Sequence, residues 1–334
     1  MSATAVAFPN IALIKYWGKR DEALIIPQTS SLSLTLDVYP TTTTVTLLAP
    51  GAQHQVLQDG EPMPQQAAHK VSRFLDHVAG LAGSQHPARV ETSNAGPTGA
   101  GLASSASGFA ALAAAAASSY GLELSARDLS RLARRGSGSA SRSIFGDFAV
   151  WNAGSDDVTS YAEPVDDAHI EAAMVLGIVN AGAKPISSRD AMRRTVETSP
   201  YNAPWVETNP TELALMRGAL RRGDFTEVGE ITERNALRMH AAMLGAVPPV
   251  RYLTAGSMAL LDAVADLRQS GLEAYATMDA GPNVKTLCRA AEAPAVQAAL
   301  GAAAPDIEFV IAGAGPGVSV SNPTVGDTGP GATR

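Results

Sequence analysis

The first half of the chain alternates between stretches typical of strands and stretches typical of helices. Runs rich in β-branched residues, or apolar at every second position, predict strands at residues 5–8, 33–36, 42–48, 89–93 and 148–154. Apolar residues three and four positions apart predict helices at residues 65–82, 102–120 and 126–135. Gly121 ends the second of these helices, and Ser125 is the expected N-cap of the third.

The second half has longer helices between its strands. A continuous apolar run at residues 173–182 predicts a buried strand, and a last pair of strands is predicted at 272–279 and 307–313. Helical spacing is found at residues 187–197, 210–222, 224–243 and 254–270. Because strands and helices do not alternate strictly, the pattern predicts an α+β fold in two layers.

Length and composition favour two domains. The chain has 334 residues, of which 46% are hydrophobic, enough for a proper core. We expect one domain over residues 1–175, a second over 176–321, and a disordered Gly/Pro/Thr-rich tail over 322–334. The net charge of −7 excludes a general nucleic-acid surface, which needs a basic excess.

The cysteine count and the apolar runs indicate the cellular compartment of the protein. A single cysteine, Cys288, excludes an internal disulfide and is typical of a reducing compartment. No basic stretch precedes the first apolar residues, so no secretion signal is predicted. The apolar run at 102–117 is too short and too interrupted for a membrane span. The sequence therefore predicts a cytoplasmic protein with no membrane contact.

Lysine is rare. Only five of the 25 basic residues are lysines, at positions 15, 19, 70, 184 and 285. Where arginine is the default cation, a remaining lysine can mark a place that needs a compact charge. Base composition explains the same scarcity equally well.

A glycine-rich stretch, SNAGPTGAGLASSASGF at residues 93–109, precedes the small-residue helix. Gly96 and Gly101 have P-loop spacing, but Leu102 and Ala103 stand where Lys and Ser/Thr are required, and Ser104 breaks a Rossmann turn. Serines near a helix N-terminus favour an anion such as phosphate. A tight turn with close helix packing fits the same residues, and spacing alone leaves both interpretations open.

Two further stretches carry candidate chemistry. In RRGSGSASRS, at 134–143, serines lie between arginines, and Arg142 can grip a carboxylate or phosphate with two hydrogen bonds, although a solvated loop is the plainer interpretation. In MDAGPN, at 278–283, Asp279 follows a strand and suits general-base work or metal binding, whereas an Asx turn or helix cap fits spacing better.

Two other site types are excluded. FVIAGAGPGVSV at 309–320 is too close to the last residue of the sequence for a dinucleotide-binding βαβ unit, so a glycine-rich turn between two strands is predicted. The six histidines have no zinc-ligand spacing.

Four motifs together resemble one family. PNIALIKYWGKRD (9–21), PTGAGLASSASGFAAL (97–112), RRGSGSASRSIFG (134–146) and MDAGPNVK (278–285) are similar to stretches of the mevalonate diphosphate decarboxylases. These belong to the superfamily of galactokinase, homoserine kinase, mevalonate kinase and phosphomevalonate kinase. The resemblance covers about residues 5–320 and takes in TERNALRMHAAML at 232–244.

The resemblance implies a fold and an activity. It implies a two-domain GHMP-kinase-like α+β fold, with a ribosomal protein S5 domain 2-like first half, a ferredoxin-like second half and the active site in the cleft between them. It implies conversion of (R)-5-diphosphomevalonate and ATP to isopentenyl diphosphate, ADP, phosphate and carbon dioxide. It also implies Mg²⁺ and a homodimer.

The resemblance assigns roles to matching positions. Asp279 matches the aspartate that orients or deprotonates the C3 hydroxyl, Lys19 the cation beside the phosphate, and Arg142 the holder of the substrate carboxylate. The positions implied for substrate binding are Asn10, Lys15, Tyr16, Trp17, Gly18, Lys70, Ser137, Gly138, Ser139, Ala140, Ser141, Ser188 and Arg189. The positions implied for ATP binding are Ser93, Asn94, Pro97, Gly99, Gly101, Leu102, Ser104, Ser105 and Ser107, with Ser104 also near a Mg²⁺ held mainly by the ATP phosphates.

The sequence departs from the family at four places. Gly99 replaces an alanine, Ala95 and Gly96 replace a polar and aromatic pair, Ser141 replaces a cysteine and Thr29 an asparagine. The Ala95-Gly96 change affects the expected nucleotide contacts. Two other activities also fit this fold, a phosphomevalonate decarboxylase or a mevalonate 3-kinase. A non-catalytic sensor is the remaining alternative. The set of Asp279, Lys19 and Arg142 favours decarboxylation over all three.

Overall fold

The computed structural model describes residues 1–96, 104–179 and 186–321. The strands are β1 (Ser2–Ala7), β2 (Asn10–Ile14), β3 (Lys19–Asp21), β4 (Ile26–Pro27), β5 (Ser31–Thr35), β6 (Thr41–Leu47), β7 (Gln55–Gln58), β8 (Glu61–Pro62), β9 (Ala88–Asn94), β10 (Phe148–Asn152), β11 (Tyr161–Pro164), β12 (Ala172–Ile178), β13 (Ala274–Met278), β14 (Val284–Arg289), β15 (Glu308–Gly313) and β16 (Ser319–Ser321). The helices are α1 (Gln65–Leu81), α2 (Ser104–Ser119), α3 (Ala126–Gly136), α4 (Ser188–Thr198), α5 (Asn202–Arg222), α6 (Phe225–Leu244), α7 (Ala255–Gln269) and α8 (Ala293–Ala303). Short 3-10 helices lie at Gly138–Ile144 and Ala290–Glu292.

A six-stranded sheet carries the alanine-rich helix. Its strand order is β16-β1-β6-β9-β7-β8, and only β7 and β9 are parallel. Ala3, Ala5 and Ala7 of β1 are buried on the face that α2 covers, in keeping with alternation along a half-buried strand. The alanines of α2 are buried as well, and such small side chains let the helix approach the sheet closely. The two ends of the described chain meet in this sheet, since β1 pairs with β16.

A second sheet connects the two halves of the molecule. Its order is β11-β10-β5-β2, and every residue of β2 and β5 is buried. Ile11 and Leu34 share one hydrophobic core with Leu220 of α5 and Ile231 of α6. The first and second halves of the chain therefore pack through a common core.

The third sheet belongs to the second half. Its order is β13-β14-β12-β15, antiparallel throughout. Helices α7 and α8 cover one face through Leu260, Val264 and Val296, and α6 packs against β13. The strand β12 is almost entirely buried, as its continuous apolar run predicts.

The structure confirms the mixed α+β class and most of the predicted elements. Ser125 caps α3 by accepting a hydrogen bond from the Asp128 amide at 3.1 Å. The glycine-rich stretch after residue 313 does connect two strands, β15 and β16. The division at residue 175 stays a prediction, and β12 runs across this residue.

One helix boundary was wrong. The predicted helix at 210–222 begins earlier, at Asn202, and carries Pro210 in its interior. A proline inside a helix removes a hydrogen bond and costs about 3 kcal/mol. Burial of Trp205 and Asn209 in the preceding turns holds the helix together across this defect.

Candidate active site

Two lysines hold the carboxylate of Asp279. Asp279 directly follows β13, at the turn into β14, and its side chain is 30% exposed. The Lys15 ammonium donates a hydrogen bond to Oδ1 at 2.8 Å, and the Lys285 Nζ lies 3.2 Å from Oδ2. The two lysine side chains are only 1% and 2% exposed. One carboxylate thus faces two buried ammonium groups, which leaves the cluster with a net positive charge.

This arrangement shifts the pKa of both partners. Burial raises the pKa of Asp279, but the two ammonium groups outweigh burial and hold it well below its usual range. Burial lowers the pKa of Lys15 to about 8, against the opposing attraction of Asp279. At neutral pH Asp279 is therefore an ionised hydrogen-bond acceptor with little tendency to take up a proton, and Lys15 is the group that titrates near neutrality.

Helix α6 supports this cluster from one side. The side-chain Oδ1 of Asn235 accepts a hydrogen bond from the Lys15 backbone N–H at 2.8 Å. His240 is buried beside the cluster, and burial lowers its pKa to about 4, so it is neutral at pH 7. Its Nε2 has no hydrogen-bond partner among the described residues.

Arg142 is buried among neutral partners. Its guanidinium donates to Ser33 Oγ at 2.9 Å and to Ser31 Oγ at 2.5 Å, both on β5, and to Asn10 Oδ1 at 3.1 Å. The side chain is 2% exposed, and burial lowers its pKa to about 10, so the charge persists at neutral pH. A guanidinium has five N–H groups, so the three bonds leave about two for an anion. Within the described ranges no carboxylate forms a salt bridge with this arginine.

Asn10 is fully engaged inside the protein. Its Nδ2 donates to the Ser139 carbonyl at 3.0 Å and to Ser143 Oγ at 2.7 Å, while Oδ1 accepts from Arg142. Asn10, predicted to bind substrate, therefore uses its side-chain hydrogen bonds for Arg142 and for the serine-rich stretch.

The serine-rich stretch presents alternate residues to the accessible side. Ser137 and Ser139 are partly exposed, and their hydroxyl oxygens lie 3.5 Å apart. Ala140 and Ser141 are buried, and the Ser141 hydroxyl donates to the Gly138 carbonyl at 2.8 Å. Of the serines predicted to bind substrate here, Ser137 and Ser139 are partly exposed, whereas Ser141 is buried and bonds inside the protein.

Tyr16 lines the same region. Its ring meets Trp151 edge-on, with 4.8 Å between centroids, and its hydroxyl has no partner among the described residues. Burial raises the pKa of this hydroxyl, against the nearby charges of Arg142 and Arg189. A Cβ on Gly138 would lie 2.7 Å from the Trp151 ring and 3.1 Å from the Tyr16 ring, so glycine is required for this approach.

The other residues of the KYWGK motif lie in different environments. Trp17 is buried in a hydrophobic cluster with Trp205 and Met239. Gly18 has φ of +99°, and a Cβ there would lie 2.5 Å from Gln28 Oε1. The Lys19 ammonium donates to Glu22 Oε2 at 2.6 Å, so its partner is Glu22 and not Asp279.

A separate cavity of about 290 Å³ lies between the six-stranded sheet and helices α1 and α2. Ser93, Asn94 and Ser105 line it, together with apolar side chains such as Val90 and Leu112. An apolar cavity with a few fixed polar groups suits a nucleobase. Ser107 lies outside this lining; it is buried, and its hydroxyl is 2.7 Å from the Thr41 hydroxyl.

Lys70 lies between this cavity and the basic residues Lys19 and Arg189. It lines the cavity, with its ammonium 4.3 Å from the centre of the Phe109 ring. Burial lowers its pKa to about 8, and the charges of Arg189 and Lys19 add to the shift. Ser188 and Arg189 form the first turn of α4. Two of the basic residues predicted to bind phosphates, Lys19 and Arg189, therefore lie close enough to Lys70 to lower its pKa.

Part of the predicted ATP site lies outside the described residues. This applies to Pro97, Gly99, Gly101 and Leu102, and also to the side chain of Ser104, whose backbone begins α2.

Four residues near the site were missed at the sequence level. Lys285 ends the MDAGPNVK motif and Asn235 lies in TERNALRMHAAML, but the sequence analysis predicted no role for either of them, or for Ser31 and Ser33. The scarcity of lysine and the position of Lys285 in the motif were the available signals for that residue. Nothing in the sequence distinguishes Ser31 and Ser33 from ordinary strand serines, because their role depends on Arg142 arriving from a 3-10 helix about 110 residues away.

Two absences hold for the ranges that the structure describes. No helix there has both the length and the apolar character to cross a membrane. No group of three or more His, Cys, Asp or Glu side chains there is arranged to hold a metal ion.

Family models match both halves of the chain. Residues 7–162 match the diphosphomevalonate decarboxylase-like N-terminal domain, and residues 174–312 match the mevalonate 5-diphosphate decarboxylase C-terminal domain. The chain is 38% identical over 305 residues to the diphosphomevalonate decarboxylase of Aspergillus fumigatus, covering 84% of this chain and 75% of that protein. The human diphosphomevalonate decarboxylase is 37% identical over 307 residues, with the same coverage.

Solved structures agree with the predicted fold. The mevalonate diphosphate decarboxylase from Enterococcus faecalis has a TM-score of 0.91 and 47% identity, covering 96% of this chain and 99% of that one. The Staphylococcus aureus enzyme has a TM-score of 0.92 and 41% identity, covering 96% and 98%. A structure of the protein called MDDEF, with MVAPP, AMPPCP and magnesium bound, has a TM-score of 0.91, 47% identity and coverages of 96% and 99%. These matches confirm the two-domain GHMP-kinase-like fold, and the chain belongs to the diphosphomevalonate decarboxylase family.

Proposed function

We propose that this protein converts (R)-5-diphosphomevalonate and ATP to isopentenyl diphosphate, ADP, phosphate and carbon dioxide. The observation that carries the proposal is Arg142, a buried and charged guanidinium whose described partners are all neutral. A buried charge is costly unless it meets an opposite one. The substrate carboxylate is the anion that suits the remaining N–H groups, and it is also the group that leaves as carbon dioxide.

Asp279 acts on the C3 hydroxyl. Its carboxylate is fixed by Lys15 and Lys285 and stays ionised, so it accepts the hydrogen bond of the hydroxyl and aims the oxygen at the γ-phosphate. Phosphoryl transfer depends mainly on such positioning and on neutralisation of charge. As the bond from the C3 oxygen to the γ-phosphorus forms, the bond from that phosphorus to the bridging oxygen of ATP breaks and its electron pair leaves on ADP. The hydroxyl proton departs to phosphate oxygen, in keeping with the low pKa of Asp279.

The second step breaks two bonds of the phosphorylated intermediate. The C3–O bond breaks with its electron pair leaving on phosphate, and the C1–C2 electron pair becomes the C2–C3 double bond as carbon dioxide departs. Arg142 holds the carboxylate so that the C1–C2 bond stays aligned with the empty orbital at C3. The cation at C3 is brief, and the buried ammonium groups favour departure of the anionic phosphate.

ATP binding is supported by the cavity between the sheet and helices α1 and α2. Ser93, Asn94 and Ser105 supply polar contacts there, and the N-terminus of α2 lies beside Ser105. Mg²⁺ would be held mainly by the ATP phosphates, with Ser104 as the candidate protein ligand, and would neutralise part of the phosphate charge. A relative solved with AMPPCP and magnesium supports the use of ATP and Mg²⁺.

The diphosphate is the substrate form we favour. Lys19 and Arg189 both lie close enough to Lys70 to lower its pKa, and three cations in one region suit two phosphates better than one. A relative described as binding MVAPP supports the same choice.

The test presents the protein with Mg-ATP and each mevalonate phosphate in turn. Mass spectrometry distinguishes isopentenyl diphosphate, isopentenyl phosphate and a 3-phosphorylated end product. The proposal expects the first, from the diphosphate, with carbon dioxide released in equal amount. Isopentenyl phosphate or an accumulating 3-phosphate would instead identify a monophosphate decarboxylase or a 3-kinase.

We also propose a homodimer in the cytoplasm. Leu215 of α5, together with Leu237 and Leu244 of α6, exposes large apolar area on neighbouring helices, which supports a contact with a second copy. Light scattering during size-exclusion chromatography measures the mass directly, and a monomer at micromolar concentration would refute this part.

A further inference from the structure

Lys285 is an unusual residue for the position it occupies. It lies on β14, where β13 and β12 flank it through Thr277 and Leu176, and it is 1% exposed. Lysine is almost never fully buried unless it has an opposite charge beside it. Its partner is Asp279 Oδ2 at 3.2 Å, while Lys15 already occupies Oδ1 at 2.8 Å.

Neutralising the charge of Asp279 does not require Lys285. Lys15 by itself balances the charge of Asp279, so Lys285 adds a second buried cation that the pair does not need. A surplus buried charge destabilises a fold, and replacing such groups by apolar side chains of similar volume is often neutral or stabilising. The position of Lys285 is therefore better explained by the reaction than by the stability of the fold.

We infer that Lys285 is a positioning residue that holds the second oxygen of Asp279 and repels the ammonium of Lys15, so that Lys15 contacts only the first oxygen and the carboxylate can still accept a hydrogen bond from the reacting groups. The inference rests on the proposed function. Without Lys285, both oxygens of Asp279 can turn to Lys15 in a closer pair. The hydroxyl of the substrate then competes with Lys15 for the carboxylate.

Three charged side chains act most strongly on Lys15. Asp279 attracts its proton, whereas Lys285 and Arg142 repel it. His240 contributes no charge at neutral pH, because its own pKa is lowered to about 4 by burial. Loss of Lys285 removes one repulsion and concentrates Asp279 on Lys15, so both effects raise the pKa of Lys15.

Because the protein has few lysines, the pKa of Lys15 can be measured directly, without an activity assay. Protein labelled with ¹³C at lysine Cε gives five side-chain signals, and burial lowers the pKa of Lys15 and of Lys70 to about 8. Lys15→Met and Lys70→Met assign them. In Lys285→Met we expect the Lys15 midpoint to rise by at least about one pH unit, the usual effect of a close charge. The Lys70 midpoint should not move and serves as an internal control.

Two matched variants distinguish the loss of charge in Lys285→Met from its effect on packing. Lys285→Arg keeps the charge and should leave the Lys15 midpoint near that of the parent. Thr286→Val changes a buried neighbour on the same strand without changing charge, and should move neither midpoint. An unchanged Lys15 midpoint in Lys285→Met, or an equal rise in Thr286→Val, overturns the inference.

Kinetics complete the test. For Lys285→Met we expect kcat to fall at least tenfold with KM within a few-fold, partial recovery in Lys285→Arg, and a free energy of unfolding no lower than the parent's. A variant that loses stability but keeps its kcat would show a merely structural role. If the parent makes no isopentenyl diphosphate, the proposed function fails, while the lysine titration still decides whether Lys285 tunes Lys15.

Discussion

The guanidinium of Arg142 and the amide oxygen of Asn10 lie 3.1 Å apart, with both side chains buried. This contact joins the 3-10 helix to β2 and fixes the direction of a charge that no described carboxylate neutralises. The choice of a neutral partner matters because a carboxylate at the same place would satisfy the arginine inside the protein.

Asn10→Asp tests this choice. The new carboxylate would pair with Arg142 and compete with the substrate carboxylate, so we expect kcat/KM to fall at least a hundredfold, roughly the value of a charge-assisted pair. Circular dichroism should show a folded protein. Ser33→Ala removes a neutral acceptor from the same guanidinium and should cost much less. Equal losses in the two variants would contradict the role of charge.

Asp279→Asn should abolish turnover. ATP affinity should stay within a few-fold of the parent, because Asp279 does not line the cavity that we propose for ATP, between the six-stranded sheet and helices α1 and α2. Near-normal release of carbon dioxide by this variant would remove Asp279 from its proposed role. Titration calorimetry with a non-hydrolysable ATP analogue checks the affinity.

The same substitution should also destabilise the fold. It leaves Lys15 and Lys285 buried without a counter-charge, and a broken buried pair costs about 3–5 kcal/mol. Urea unfolding at neutral pH measures the loss. The loss should shrink as pH rises, because deprotonation of a buried lysine removes the uncompensated charge. A loss that is the same at every pH would point to altered packing.

Lys15 gives the parent protein a stability that rises with pH. Its pKa in the folded state, about 8, lies below the ordinary value of 10.5. Below pH 8 both folded and unfolded chains carry the proton, and the cost of burying the charge is fully present. Between pH 8 and 10.5 the unfolded chain binds more protons, so the free energy of unfolding increases by up to about 3 kcal/mol for this group.

The measurement compares the parent with Lys15→Met by urea unfolding below and above pH 8. The rise attributed to Lys15 is the part that Lys15→Met lacks, which removes the contribution of Lys70. A difference between the two proteins that does not change with pH would refute the lowered pKa.

Gly138→Ala should damage activity by displacing aromatic rings. The added methyl would lie 2.7 Å from Trp151 and 3.1 Å from Tyr16, so one ring has to move. We expect kcat/KM to fall at least tenfold with KM for the substrate raised, since Tyr16 lines the site. Gly80→Ala in α1 meets open space and should stabilise the protein by about 0.5–1 kcal/mol with unchanged kinetics. Similar kinetics in both variants would contradict the assignment.

The fold was predictable where local pattern and burial agree. The alanine run of α2 and the capped start of α3 are local signals, and both elements are present. Strand β14 was missed because Lys285 interrupts its apolar run, although the lysine is buried by a contact across the site. Strand β2 was missed because it is buried on both faces, so its residues do not alternate.

The site was predictable mainly through the family resemblance. Asp279, Lys15 and Arg142 were all named, and they do lie within electrostatic range of one another. The resemblance did not predict which charged side chains form ion pairs with each other. Lys19 was expected beside the reacting groups and bonds Glu22, while Lys285, which had no assigned role, bonds Asp279. Such pairings depend on side-chain directions fixed only by tertiary packing.

The pairing of β1 with β16 has a consequence for anyone who wishes to dissect this protein. The edge strand of the six-stranded sheet, β16, comes from residues 319–321 and pairs with β1. A fragment that stops near residue 175 would lack β16 and would leave the edge of β1 free to pair with strands of other molecules. We therefore expect that neither half folds independently, because the two share this strand pair and one hydrophobic core. Co-expressed as separate polypeptides they should reassemble by strand complementation, whereas the first half alone should aggregate.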